Sequence, residues 1–81
     1  MVKLEYAPKF QKSFKKLDNS YKIKIEKLVN KISDNPEIGK PMQYNRKGTR
    51  EVYVKPYRLS YAFIQEEDKI IFLEIYHKDE Q

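Results

Sequence analysis

The sequence predicts an α+β fold in the order β-α-α-β-β-β, with a helical hairpin packed on one face of a small, mostly antiparallel four-stranded sheet. Three observations predict it. Apolar residues recur at helical spacing between residues 10 and 32. From residue 50 onward they alternate or run together in β-branched tracts. The 81 residues leave room for one core, so 1–81 reads as a single domain. Helices and sheet must each bury an apolar face, and stacking them in two layers is the simplest solution.

Each element has its own signal. Val2, Leu4 and Tyr6 alternate with Lys3 and Glu5, a short amphipathic strand that Pro8 ends. Pro8 suits the first turn of a helix, where its missing N–H costs nothing. Phe10, Phe14 and Leu17 then fall on one helical face, with Lys9, Lys12, Lys15 and Lys16 around the rest. Asp18, Asn19 and Ser20 interrupt the pattern and offer an N-cap. Tyr21, Ile25, Leu28, Val29 and Ile32 form the stripe of a second helix, which should stop near Asn35-Pro36 because a residue before proline avoids the helical region. Residues 36–48 hold both glycines and two prolines and read as a basic loop. Strands follow at Arg50 to Lys55 and at Tyr57 to Gln65, joined by a Lys55-Pro56 turn. Glu66, Glu67 and Asp68 make an acidic turn into a last strand, KIIFLEIY, that is apolar on both faces and so reads as central.

Composition bounds the function. There is no cysteine, which excludes disulfides, thiolate metal sites and thiol nucleophiles. One histidine, His77, excludes polyhistidine metal sites. No metal and no cofactor is expected. No apolar run approaches the roughly 20 residues that span a bilayer, and the first ten residues lack a signal-peptide pattern, so the expected location is cytoplasmic. The net charge of +5 is unevenly spread: residues 1–58 carry +9 and residues 59–81 carry −4. All three arginines lie between 46 and 58, and the segment 40–58 also holds Lys40, Lys47 and Lys55. Arginine's planar fork grips phosphate bidentately, so this stretch suits a polyanionic partner. Chance clustering in a lysine-rich chain is the plain alternative.

The residue types leave one chemistry open. No nucleophile elbow and no glycine-rich phosphate loop is present. RNA, however, carries its own nucleophile. Attack by the 2′-OH on the adjacent phosphate needs a proton acceptor, a proton donor for the departing 5′-oxygen, and positive charge for the phosphate. His77 is the candidate acid or base, and Arg58 the candidate phosphate contact. Arg46, Lys47, Arg50, Lys55 and Lys78 are candidate RNA contacts, with Tyr57 and Tyr76 as stacking or hydrogen-bonding residues. Arg58 has the opposite strand parity to Leu59, Tyr61 and Phe63, which directs it to the uncovered sheet face. His77 shares parity with Ile71, Leu73 and Ile75, a core side, and reaches the open face only through a bulge or an early strand end. The ordinary alternatives are a surface histidine, an edge-capping arginine and strand-forming tyrosines.

The segment GTREVYVKPYRLSYAFIQEEDKIIFLEIYHK resembles the RelE/ParE toxin superfamily, through Tyr57-Arg58-Leu59-Ser60-Tyr61 and the β-branched strand after it. Gly39-Lys40-Pro41 and Tyr76-His77 look most like the YoeB branch. The resemblance covers nearly the whole chain. It implies a toxin that cleaves messenger RNA in the ribosomal A site and is neutralised by a RelB-like antitoxin, so the expected partners are antitoxin, ribosome and mRNA. It implies Arg58 on the scissile phosphate, His77 as catalytic acid or base, and basic contacts around Arg50–Lys55. The sequence departs from the family pattern at Met42, Glu51, Tyr53 and Asp79, where a carboxylate, two lysines and an arginine would stand. Two further readings stay open: a ParE-like, non-enzymatic toxin that inhibits DNA gyrase, and a catalytically weakened RNA- or antitoxin-binding relative.

Overall fold

A proline starts the first helix and a side-chain cap starts the second. The computed structural model describes residues 2–41 and 48–77. Strand β1 (Lys3–Tyr6) leads into α1 (Pro8–Lys15), with Pro8 in its first turn. Asp18 caps α2 (Asn19–Asp34), its carboxylate accepting the Tyr21 amide. The Ser20 hydroxyl and then that amide hold the Asp18 carboxyl below its ordinary range. The helix stops at Asn35, before Pro36.

Four more strands follow: β2 (Lys40–Pro41), β3 (Thr49–Val54), β4 (Tyr57–Ile64) and β5 (Lys69–His77). They form one sheet in the order β1-β5-β4-β3-β2, antiparallel except for the parallel β1–β5 pair. The predicted α+β architecture is present, but with five strands rather than four. The addition, β2, pairs Lys40 with Glu51 and Pro41 with Arg50 inside the stretch read as loop. Two residues carry no periodicity, and proline is tolerated there because β2 is an edge.

Both helices cover the same sheet face. Phe10, Leu17, Ile25, Val29 and Ile32 pack with Leu59, Tyr61, Ile70, Phe72 and Ile75. Phe72 is the aromatic hub, within 5.4 Å of Tyr6, 5.7 Å of Phe10 and 6.1 Å of Tyr61, centroid to centroid. The parity expected for β5 needs correcting here. Ser60 pairs with Glu74 but Tyr61 pairs with Phe72, so Leu73 is the extra residue of a β-bulge. The buried residues before the bulge are Ile70 and Phe72, not Ile71 and Leu73.

Tyr61 also ties down the chain leading to β2. Its hydroxyl donates to the Pro36 carbonyl (2.7 Å) and accepts the Gly39 amide (2.9 Å). Burial raises this phenol above its ordinary range, which keeps the proton on the donor. A Cβ at Gly39 would lie 2.6 Å from the Tyr61 hydroxyl oxygen, 2.8 Å from its ring and 3.0 Å from Arg50 Cβ. Tyr61 is fully buried and has nowhere to go. Gly39→Ala should therefore cost about 1–3 kcal/mol, as overpacking does, read as a lowered denaturation midpoint. An unchanged midpoint would mean that this contact is slack.

Candidate functional site

Strand pairing sorts the polar residues onto two faces, because directly opposed residues in a sheet point the same way. On the face without helices, Tyr53 pairs with Arg58 and Arg58 with Tyr76. The next row runs Lys40, Glu51, Ser60, Glu74 across β2 to β5. The side chains of the two rows meet diagonally. Arg58 Nη1 donates to Glu51 Oε1 at 2.9 Å, and the Tyr76 hydroxyl donates to Glu51 Oε2. The Tyr53 ring lies beneath the guanidinium, 5.8 Å from its carbon, and is half exposed. The Glu51 side chain is 10% exposed and that of Arg58 28%. Arg58 Nε is buried and has no hydrogen-bond partner among the described residues. A pocket of about 370 Å³ opens beside the pair, lined by Ile38, Lys40, Glu51, Val52, Tyr53 and Arg58.

The sequence-predicted residues divide between the two faces. Arg58 and Tyr76 stand together on the open face. His77 does not join them. It pairs with Tyr57 on the helix side, where the Tyr57 ring meets His77 edge-on at 5.7 Å and Tyr21 of α2 at 5.1 Å. The bulge at Leu73 comes before Ile75 and leaves His77 in step with that core residue. Arg58 and His77 therefore emerge from neighbouring strand positions onto opposite faces. The idea that they converge on one surface is corrected by the pairing. Arg50 is also turned inward, paired with Tyr61, and its Nη1 donates to the carbonyls of Glu37 (3.1 Å) and Gly39 (2.8 Å). It braces the chain before β2. Lys55 is exposed in the β3–β4 turn. Arg46, Lys47 and Lys78, with Met42 and Asp79, lie outside the described residues.

Sequence reasoning named Glu51 and Tyr53 only as departures from the family pattern, and Lys40 only as part of the basic stretch, not as members of this site. Glu51 and Tyr53 share Arg58's face by simple alternation along β3, a signal that was present in the sequence. Lys40 could be placed only once β2 was known. The two rows carry Lys40 and Arg58 against Glu51 and Glu74, so this part of the face is electrically balanced. The positive excess sits on the helical segment instead, where residues 8–34 hold eight lysines and three carboxylates. Among the described residues, no group of three His, Cys, Asp or Glu is placed to hold a metal ion, and no helix is long and apolar enough to cross a membrane.

Comparison with known proteins places the chain in a family. None of the curated proteins matches in sequence. Solved structures match over almost the whole chain. The RelBE toxin–antitoxin complex of E. coli is similar with a TM-score of 0.82 at 16% identity, covering 95% of this chain and 96% of the other. The RelBE2 toxin–antitoxin complex of Mycobacterium tuberculosis gives 0.85 at 20% identity, covering 94% and 96%. A YoeB/ParE toxin of Agrobacterium tumefaciens gives 0.84 at 14%, covering 94% and 98%. At such identities the likeness speaks for the fold. The sequence itself matches the family model of the ParE toxin of type II toxin–antitoxin systems over residues 4–81. With that match spanning nearly every residue, the chain belongs to the ParE toxin family of type II toxin–antitoxin systems, within the RelE/ParE superfamily.

Proposed function

We propose that this toxin is a ribosome-dependent endoribonuclease, cutting messenger RNA in the A site by attack of a ribose 2′-OH on its own phosphate. A RelB-like antitoxin holds it in check, as the RelBE complexes of similar fold suggest. One observation carries the catalytic reading: an arginine at the wall of an open pocket, its guanidinium held by a carboxylate and lying over a phenol ring. Arg58 would bind the scissile phosphate and take up its growing charge. Tyr53 offers a half-exposed ring on which a base can stack, and Lys40 a second cation at the pocket wall. The lysines of α1 and α2 provide the salt-sensitive attraction to a polyanion such as ribosomal RNA.

The test is to map mRNA cleavage on programmed ribosomes with the purified protein. Cuts within the A-site codon are expected. Intact mRNA together with arrested gyrase supercoiling would establish the gyrase-inhibitor reading, which the charge balance around Arg58 favours. Tight ribosome binding without cuts would mark a catalytically weakened relative. His77→Gln is expected to change the cleavage rate by less than about tenfold, against the roughly 10²–10⁴ that removal of a working proton carrier costs. A full loss would bring the imidazole back into the chemistry despite its place on the helix side.

A further inference from the structure

Arg58 already holds an anion, and that anion belongs to its own chain. We infer that Glu51 is a built-in occupant of the Arg58 site, a carboxylate mask that an RNA phosphate must displace before the guanidinium can grip it. This inference rests on Arg58 being the phosphate contact of the proposed function and adds what regulates that contact.

Three side chains close in on the guanidinium. Glu51 Oε1 accepts from Arg58 Nη1 at 2.9 Å, the length of a charge-assisted bond to any anionic oxygen. Glu51 Oε2 accepts from the Tyr76 hydroxyl, so both carboxylate oxygens are engaged. The Tyr53 ring lies against the guanidinium, 5.8 Å from its carbon. Arg58 Nε is buried, and the side chain as a whole is 28% exposed. A phosphate entering the adjoining pocket would meet Glu51 next to Arg58, since both line it. Phosphate and carboxylate then compete for one cation, and like charge keeps them from sharing it.

The pocket also gives the displaced carboxylate a place to go. Lys40 stands directly opposite Glu51 in the β2–β3 pairing and lines the same pocket. Opposed residues have Cβ atoms about 4.5–5.5 Å apart, so Lys40 is within reach. Among the described residues Lys40 makes no ion pair. A turn of Glu51 from Arg58 to Lys40 keeps the carboxylate neutralised and frees the guanidinium.

Such a mask makes binding conditional. A lone RNA phosphate gains little at Arg58, because a comparable anion has to leave. The remaining binding energy comes from the lysines of α1 and α2, which only a large polyanion can engage at the same time as Arg58. Glu51 thereby works against short free RNA and in favour of a ribosome-sized partner.

The test reads Arg58 directly. With three arginines in the chain, its side-chain NMR signal can be isolated and assigned through Arg58→Lys. Full-length wild type and Glu51→Gln are titrated with a 2′-O-methyl hexaribonucleotide, which carries phosphates but no 2′-OH to react. Following Arg58 itself keeps RNA held only by lysines out of the reading. The Arg58 signal is expected to move at RNA concentrations at least about threefold lower in Glu51→Gln, the scale of one partly exposed ion pair. In wild type the Glu51 carboxyl carbon signal should move in step with Arg58, which decides the matter should the variant not fold. Equal or weaker binding by folded Glu51→Gln, or a Glu51 signal that stays still while Arg58 saturates, overturns the mask and leaves the ribonuclease reading intact. An Arg58 signal that responds in neither protein overturns both the mask and the phosphate role of Arg58. Because the probe is uncleavable, a wild type that leaves mRNA uncut on programmed ribosomes overturns the ribonuclease reading without touching this result.

Discussion

Arg58→Ala should lower mRNA cleavage on programmed ribosomes by about a hundred- to a thousandfold, the loss expected when one preorganised donor to a developing oxyanion is removed. The effect should fall on the cleavage rate more than on ribosome binding, because the lysines of the helical layer remain. The structure adds a complication. Arg58 is also the cation beside Glu51, whose side chain is only 10% exposed. Removing the guanidinium leaves that carboxylate with the Tyr76 hydroxyl and no positive partner on Oε1. With Arg58 itself 28% exposed, solvent screens the pair, and the stability loss should stay near ~1 kcal/mol. Combining Arg58→Ala with Glu51→Gln separates the two effects. The double variant should recover the stability and none of the cleavage, since the residues are in direct contact and couple. Arg58→Lys keeps the charge but loses the planar fork, and should restore cleavage only in part. Wild-type cleavage in Arg58→Ala would remove the residue from the mechanism.

Much of this site could be read from strand alternation alone. The parity that directs Arg58 away from Leu59 and Tyr61 holds in β4, and the same parity sets His77 with the core, which is where it lies. What misled the reading was residue type. An imidazole suggests acid–base chemistry wherever it stands, and Glu51 reads as the loss of a family lysine. Its hydrogen bonds to Arg58 and Tyr76 come from β4 and β5, and no local pattern reveals a side chain that bridges three strands. Arg50 has a bracing role that residue type does not reveal either. Its fork fits two carbonyls of the chain before β2 as well as it would fit a phosphate. The fold was legible where burial repeats, in α1, α2 and β4. It was not legible at β2, which is two residues long, or at Leu73, where one extra residue shifts the pattern without changing its composition.

That extra residue can be tested through the core. Phe72→Ala should destabilise the protein by about 3–5 kcal/mol, the usual cost of deleting a buried aromatic ring. Phe72 is fully buried among Tyr6, Phe10 and Tyr61, so the cavity would be lined by rings from three elements that cannot readily collapse into it. A domain of this size has roughly 4–12 kcal/mol in total, so the variant should sit near its unfolding midpoint at modest denaturant. Leu73→Ala, one residue along on the bulge and only half buried, should cost about 1 kcal/mol, the centre of the range for ordinary substitutions. The contrast matters because a strand without the bulge would bury Leu73 in place of Phe72, with Ile75 still inward. The bulge is what lets Phe72 fill the core while Tyr76, four residues later, still points outward to Glu51. Urea titrations of the two variants measure this directly. Equal losses at 72 and 73 would place the bulge elsewhere, and then a core-facing Phe72 and a Glu51-facing Tyr76 could not both follow from one register.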